Sequence, residues 1–223
     1  MIVYEFDSKS YQRVWVLDRN ALLDLESQGI DPFEHYAVND LLMNDRKITA
    51  KTTPGPLKLG MDIDFQQPLT VGAKYSILVG LSSSATDSNL LKLDELTIEV
   101  PSVRDLDFSL QGEVNLGTSS KCDFEYTGTS EKGFKEYRLA DSKLAEVNQD
   151  CDKSTLRELA ITERDCNSFF KEPIYTCNFV ATKVPQTLQS DIIVASARYS
   201  MKLESKSVVN IKALPGEVNQ LTA

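Results

Sequence analysis

Residues 174–181 read Ile174-Tyr175-Thr176-Cys177-Asn178-Phe179-Val180-Ala181, and this stretch decides the fold. Tyr175, Cys177, Phe179 and Ala181 recur at a spacing of two. Successive side chains of a strand point to opposite faces, so this spacing predicts a strand with one apolar, buried face. Cys122-Asp123-Phe124-Glu125-Tyr126 has the same form, with Cys122, Phe124 and Tyr126 alternating with acids. Two inward cysteines in the centres of two strands would bridge facing sheets.

The chain has four cysteines, Cys122, Cys151, Cys166 and Cys177, and none in the first 121 residues. Their successive gaps of 29, 15 and 11 positions lack the close Cys-x-x-Cys knuckles that structural zinc recruits. No metal site is expected. Four cysteines allow three pairings. Strand logic prefers Cys122–Cys177, leaving Cys151–Cys166 to staple a local insert in which Leu156, Leu159 and Ala160 follow helical spacing. Disulfides place the chain in an oxidising compartment; four reduced, buried thiols in the cytosol are the alternative. The opening Met1-Ile2-Val3-Tyr4-Glu5-Phe6-Asp7 has no basic region, apolar core or cleavage site, so no signal peptide is read in it. No Asn-x-Ser/Thr acceptor occurs.

Working outward, strands are expected over 11–17, 61–65, 75–81 and 90–100, with a short helix near 19–28 between Asp18, a capping residue, and Gly29, a terminating one. Beyond Pro101 further strands are expected over 106–111, 121–126, 134–139, 174–181, 191–203 and 207–213. In 193–203 Ile193, Ala195, Ala197, Tyr199, Met201 and Leu203 share one face, the pattern of a half-buried edge or surface-sheet strand. Acids and bases number 15 and 9 up to Pro101, and 18 and 15 after it. That shift, with the cysteine segregation, sets a boundary at Pro101–Val103. The expected architecture is mainly β: two tandem β-sandwich domains, residues 1–101 and 102–214, with 215–223 a tail or linker.

Cys122, followed 55 positions later by Tyr175-Thr176-Cys177, resembles the immunoglobulin-like sandwich. The resemblance covers about 105–213. It implies that Cys122 and Cys177 are the inter-sheet pair and Tyr175 the corner tyrosine. The strand-C tryptophan of that fold is missing, since the only Trp is Trp15 in the other half, and Phe134 or Tyr137 would fill its place. Two strands follow the second cysteine where the simple order has one.

The function classes narrow by elimination. Lys+Arg 24 against Asp+Glu 33 makes a net charge of −9, which repels phosphate backbones, so no nucleic acid is expected. No apolar run approaches the ~20 residues of a membrane helix. The acids Asp18, Asp40 and Asp45, and Arg104, Asp105 and Asp107 at the junction, make a poor calcium cage, because calcium takes six or more converging oxygens. His35 is the single histidine. Any nucleophile–His–acid triad would need it, and no Gly-x-Ser-x-Gly elbow accompanies it. Asp62 and Asp64 share a strand face, as a glycosidic carboxylate pair would, but alternating acids opposite Met61, Ile63 and Phe65 also describe the wet side of a strand. No catalytic, cofactor-binding or metal residues are therefore assigned, and no cofactor or small-molecule substrate is expected. The expectation is a non-catalytic structural or adhesive module, extracellular or at a cell surface, acting through protein partners or self-assembly. A virion coat or spike protein, or an enzyme with an unrecognised site, are the alternatives.

Overall fold

The computed structural model describes residues 2–83, 88–102, 106–111, 122–149, 174–183 and 185–203. In chain order these form β1 (Ile2–Leu17), α1 (Arg19–Ser27), α2 (Pro32–His35), β2 (Met43–Asn44), β3 (Lys47–Ile48), β4 (Lys51–Thr52), β5 (Leu57–Ile63), β6 (Leu69–Thr70) and β7 (Lys74–Ser83). There follow β8 (Ser88–Pro101), β9 (Phe108–Gln111), β10 (Phe124–Thr129), β11 (Phe134–Leu139), α3 (Asp141–Gln149), β12 (Ile174–Ala181) and β13 (Gln189–Leu203).

Two main sheets share one core, an arrangement compatible with a β-sandwich. The larger runs β10-β11-β8-β13-β1-β4, with β6 also pairing β1, and the smaller runs β5-β7-β12-β9. Alternation sets which side faces in. In β5, Leu57, Leu59, Met61 and Ile63 are buried while Lys58, Gly60 and Asp62 face out. Tyr75, Ile77, Val79 and Leu81 of β7 and Tyr175, Cys177, Phe179 and Ala181 of β12 meet the same interior. Each fully buried aliphatic side chain is worth about 1.5–3 kcal/mol, which makes this shared core the main stabilising element.

The strands do not divide at residue 101, and this corrects the expectation of two tandem sandwiches. β1 pairs antiparallel with β13 from Ile2↔Leu203 to Val16↔Gln189, β8 lies between β11 and β13, and β7 pairs with β12. One hydrophobic cluster holds Val14, Leu59 and Ile98 from before residue 101 together with Phe108, Tyr137 and Tyr199 from after it. The shift in composition at Pro101 marks a strand end, since Pro101 closes β8. Nor is β13 an edge: its inner face is buried as the alternation requires, but it is paired on both sides.

Local signals held well where they were chemical. Asp18 caps α1 by accepting from the N–H groups of Asn20 and Ala21, and Gly29, at φ +68°, ends that segment in the left-handed region. Asp31 caps α2, and Pro32 occupies its first turn, where its missing N–H costs nothing. The 151–166 insert and the 207–213 strand lie outside the described residues. α3 was not anticipated. It takes over where β11 stops pairing with β8: Asn148 Oδ1 accepts from Leu93 N–H at 2.8 Å and Asn148 Nδ2 donates to Leu93 O at 2.9 Å. A side-chain amide thus stands in for a strand residue beside the register shifts between β8 and β13.

Candidate interaction surface

The outer face of the larger sheet is divided. At one end, Asp7 and Glu95 flank Arg198 across three strands. Glu95 receives Arg198 Nη2 at 2.9 Å and Arg138 Nε at 3.7 Å. Such exposed pairs are worth about 0–1 kcal/mol each and describe a solvated face. At the other end the same rows turn apolar and aromatic, with Tyr11 opposite Val194, Arg13 opposite Ile192 and Trp15 opposite Ser190. Tyr11 and Ile192 are exposed.

The segment between β1 and β5 builds the wall of this second half. Trp15 packs edge-on against the Phe33 ring of α2 at 5.9 Å. Asp40 is buried and its carboxylate organises the loop: Arg13 Nη1 lies 3.0 Å and Trp15 Nε1 3.3 Å from Oδ2, while Leu42 N–H donates to Oδ1 at 3.0 Å. Burial by itself pushes this carboxyl up, but the Leu42 amide, the Trp15 indole and the Arg13 guanidinium together hold it below the usual carboxylate range. The β2–β3 hairpin turns through Asp45 and Arg46, both with positive φ (48° and 59°), as a two-residue hairpin of this handedness demands. Arg46 Nε then donates to Gln67 O at 2.7 Å, and buried Gln67 accepts the Trp15 N–H at 2.6 Å. With both neighbours pinned, Leu41 is thrust into solvent at 93% exposure. An aromatic, arginine-bearing patch with a projecting leucine has the composition of a protein-contact hot spot.

Among the sequence-predicted residues, Cys122 and Cys177 are brought together as a disulfide with their Cα atoms 4.5 Å apart. Cys177 is central in β12, as expected, whereas Cys122 precedes β10 by two residues. Phe124 is buried, whereas Tyr126, paired with Tyr137 and 5.5 Å from its ring, is 57% exposed. Cys151 and Cys166 lie outside the described residues. Tyr137 does fill the core, its hydroxyl accepting from Leu110 N–H across the sheets at 3.3 Å. A corner-type tyrosine is present at Tyr75, whose hydroxyl accepts from Thr70 N–H at 2.6 Å. Tyr175 is buried, and its hydroxyl is pushed up to about 12 by desolvation and by Glu146 and Asp123.

His35 is exposed, stacked edge-on against Tyr36 at 4.9 Å, and the Asp40 oxygens are occupied by other donors. Asp62 and Asp64 are both exposed. Arg104 and Asp105 lie outside the described residues. Asp107 is a cross-sheet tie: Oδ1 is 2.7 Å from Lys135 Nζ and Oδ2 accepts from Thr182 Oγ1 at 2.7 Å. Burial raises its carboxyl, and Lys135, Thr182 and Ser102 outweigh that and lower it. Among the described residues no group of His, Cys, Asp and Glu gathers to hold a metal ion, and no helix is long and apolar enough to cross a membrane.

These two depressed carboxyls set a pH dependence. A group whose folded pKa is lowered stabilises the fold above its unfolded value, here near 3.8, and that stability is lost as pH falls through the lower folded value. Asp107→Asn should therefore cost about 1.5–3 kcal/mol at pH 7 and flatten the acid limb of the stability curve below pH ~4. Urea melts at pH 7 and pH 3 check this; an equal loss at both would show that the charge is not the stabilising element.

No family model, curated protein or solved structure matches this chain. The class defined here is a mainly β protein of two sheets with an inter-sheet disulfide.

Proposed function

We propose that the chain is a non-catalytic structural or adhesive module of an extracellular surface protein, appendage or assembly, working through protein–protein contacts. The observation that carries this reading is the patch of Tyr11, Arg13, Trp15, Ile192 and Val194 beside the projecting Leu41, which puts aromatic, arginine and aliphatic groups together on the outer sheet face. Isolated exposed apolar residues need no explanation, but a contiguous group walled by an ordered loop suits a docking face. The Cys122–Cys177 bridge supports an oxidising compartment. An immunoglobulin-like relation is supported by the spacing of that bridge and by Tyr137 in the core.

The experiment is sedimentation of the purified chain over a concentration series. The wild-type chain should self-associate, Ile192→Asp should reduce association at least about tenfold, a loss of about 1.4 kcal/mol, and His35→Gln should leave it unchanged. A folded His35→Gln chain that no longer associates, or an Ile192→Asp chain that associates like wild type, would overturn the reading.

A further inference from the structure

One row across the outer face of the larger sheet carries opposite charge at its two ends. Direct pairing sets Lys51 beside Tyr11, Tyr11 beside Val194, Val194 beside Glu99 and Glu99 beside Glu136, so the row crosses β4, β1, β13, β8 and β11 in order. Lys51 and Tyr11 are exposed, while Val194, Glu99 and Glu136 are half-buried. Like charges directly opposite one another destabilise a sheet, and Glu99 and Glu136 stand in that relation. Among the described residues no cation forms an ion pair with either carboxylate, and no acid forms one with Lys51. Within one chain the Lys51 ammonium is too far away to relieve them, because four strand spacings, about 19 Å, separate β4 from β11.

We propose that a second copy of this chain covers this face, related to the first by a twofold axis that runs along the strands at Val194, midway between the two stacked sheets. The inference rests on the docking face proposed above and names its occupant. Charge selects the axis. A twofold along the strands reverses the partner's strand order, so that Lys51 of each copy lies over the partner's Glu136, Tyr11 over the partner's Glu99, and Val194 over its own counterpart. A twofold across the strands would instead set Glu136 on Glu136, Glu99 on Glu99 and Lys51 on Lys51.

Every contact in such an isologous interface occurs twice, so each copy's Glu99–Glu136 pair gains one ammonium. Exposed Ile192 lies on the same strand as Val194 and meets its own counterpart close to the axis, which puts an apolar contact at the centre. Sheets stacked face to face lie about 10 Å apart and turn by about 30°. In the other direction along β13, Asp7 and Glu95 flank Arg198, and an unturned stack would set acid on acid there. The turn carries that row about 7 Å sideways, more than one strand spacing, so the contact is centred on Val194 and Ile192 and fades toward Arg198.

Sedimentation equilibrium of the full-length, disulfide-bonded chain and its charge-reversed variants tests this. The wild type should be a dimer that weakens as salt is raised. Lys51→Glu and Glu136→Lys should each weaken it at least about tenfold, because each sets like charges together at both ends of the row. Both variants should stay folded by circular dichroism, since Lys51 is exposed and Glu136→Lys removes the repulsion from Glu99. Combined in one chain the two reversals should restore the dimer to within about threefold, and an equimolar mixture of the two single variants should form a heterodimer at concentrations where each alone is monomeric. A wild-type chain that stays monomeric, or a double variant and a mixture no better than the single variants, would overturn the proposal. A dimer lost in Ile192→Asp yet indifferent to both charge reversals would overturn this pairing alone and leave the docking face standing.

Discussion

Tyr199→Asp is expected to leave no folded protein at neutral pH, read as loss of the near-UV circular dichroism signal and of any cooperative melt. Tyr199 sits in the middle of β13 with 0% exposure. Its ring stacks on Phe6 at 5.7 Å, and its hydroxyl lies 3.0 Å from Ser8 Oγ while accepting from Leu57 N–H at 3.2 Å. Ser8 Oγ in turn donates to Leu57 O at 3.0 Å, so one polar node joins β1 and β13 of the larger sheet to the start of β5 in the smaller. Truncating a buried aromatic costs about 3–5 kcal/mol, and an unpaired buried carboxylate costs several more. The sum is comparable with the ~5–15 kcal/mol that holds a typical domain together. Tyr199→Phe separates the two contributions: it keeps the ring, strands the Leu57 amide, and should cost only about 1–3 kcal/mol. A Tyr199→Asp chain that melts cooperatively near the wild-type temperature would mean that this face is not the core.

Loss of the Cys122–Cys177 bridge should come next in size. The bond closes a span of 55 positions, for which loop entropy alone gives about 4 kcal/mol. Its position adds a local reason: among the described residues β10 has only β11 beside it, so the bridge to central β12 ties the end strand of the larger sheet to the opposite layer. Cys122→Ala with Cys177→Ala should lower the melting temperature by about 10 °C. Peptide mapping of the unreduced wild type should find Cys122–Cys177, and Cys151 joined to Cys166. A Cys122–Cys151 peptide would refute the inter-sheet pairing, and an unchanged melting temperature would show that the bridge adds nothing to the layers' cohesion.

Much of this was legible in the residues. Some local signals sufficed: the period-two pattern located β7, β8, β11, β12 and β13 closely, and Asp18 and Gly29 bracketed α1 because capping and left-handed backbone are chemistry of a few adjacent atoms, while the equally local helices α2 and α3 went unread. The inward face of Cys177 was legible for the same reason, since alternation says which way a strand cysteine points, and its partner Cys122 lies just before β10. What could not be read was which strand lies beside which. Period two is identical in an edge strand and a central one, so nothing in 193–203 announced that β1 and β8 flank it, or that strands from both sides of Pro101 share two sheets and one core. Side chains that act at a distance were hidden likewise. Asn148 completing β8, Gln67 completing β1 and Asp40 gathering Arg13 and Trp15 are ordinary polar residues until the chain brings their partners near. The sequence by itself determined most of the long strands, their buried faces and the Asp18 cap, because these follow from neighbours one to four positions apart. Only the tertiary structure decided the pairing of the strands, the single shared core and the patch around Trp15, because those depend on contacts across tens to nearly two hundred positions that no local pattern encodes.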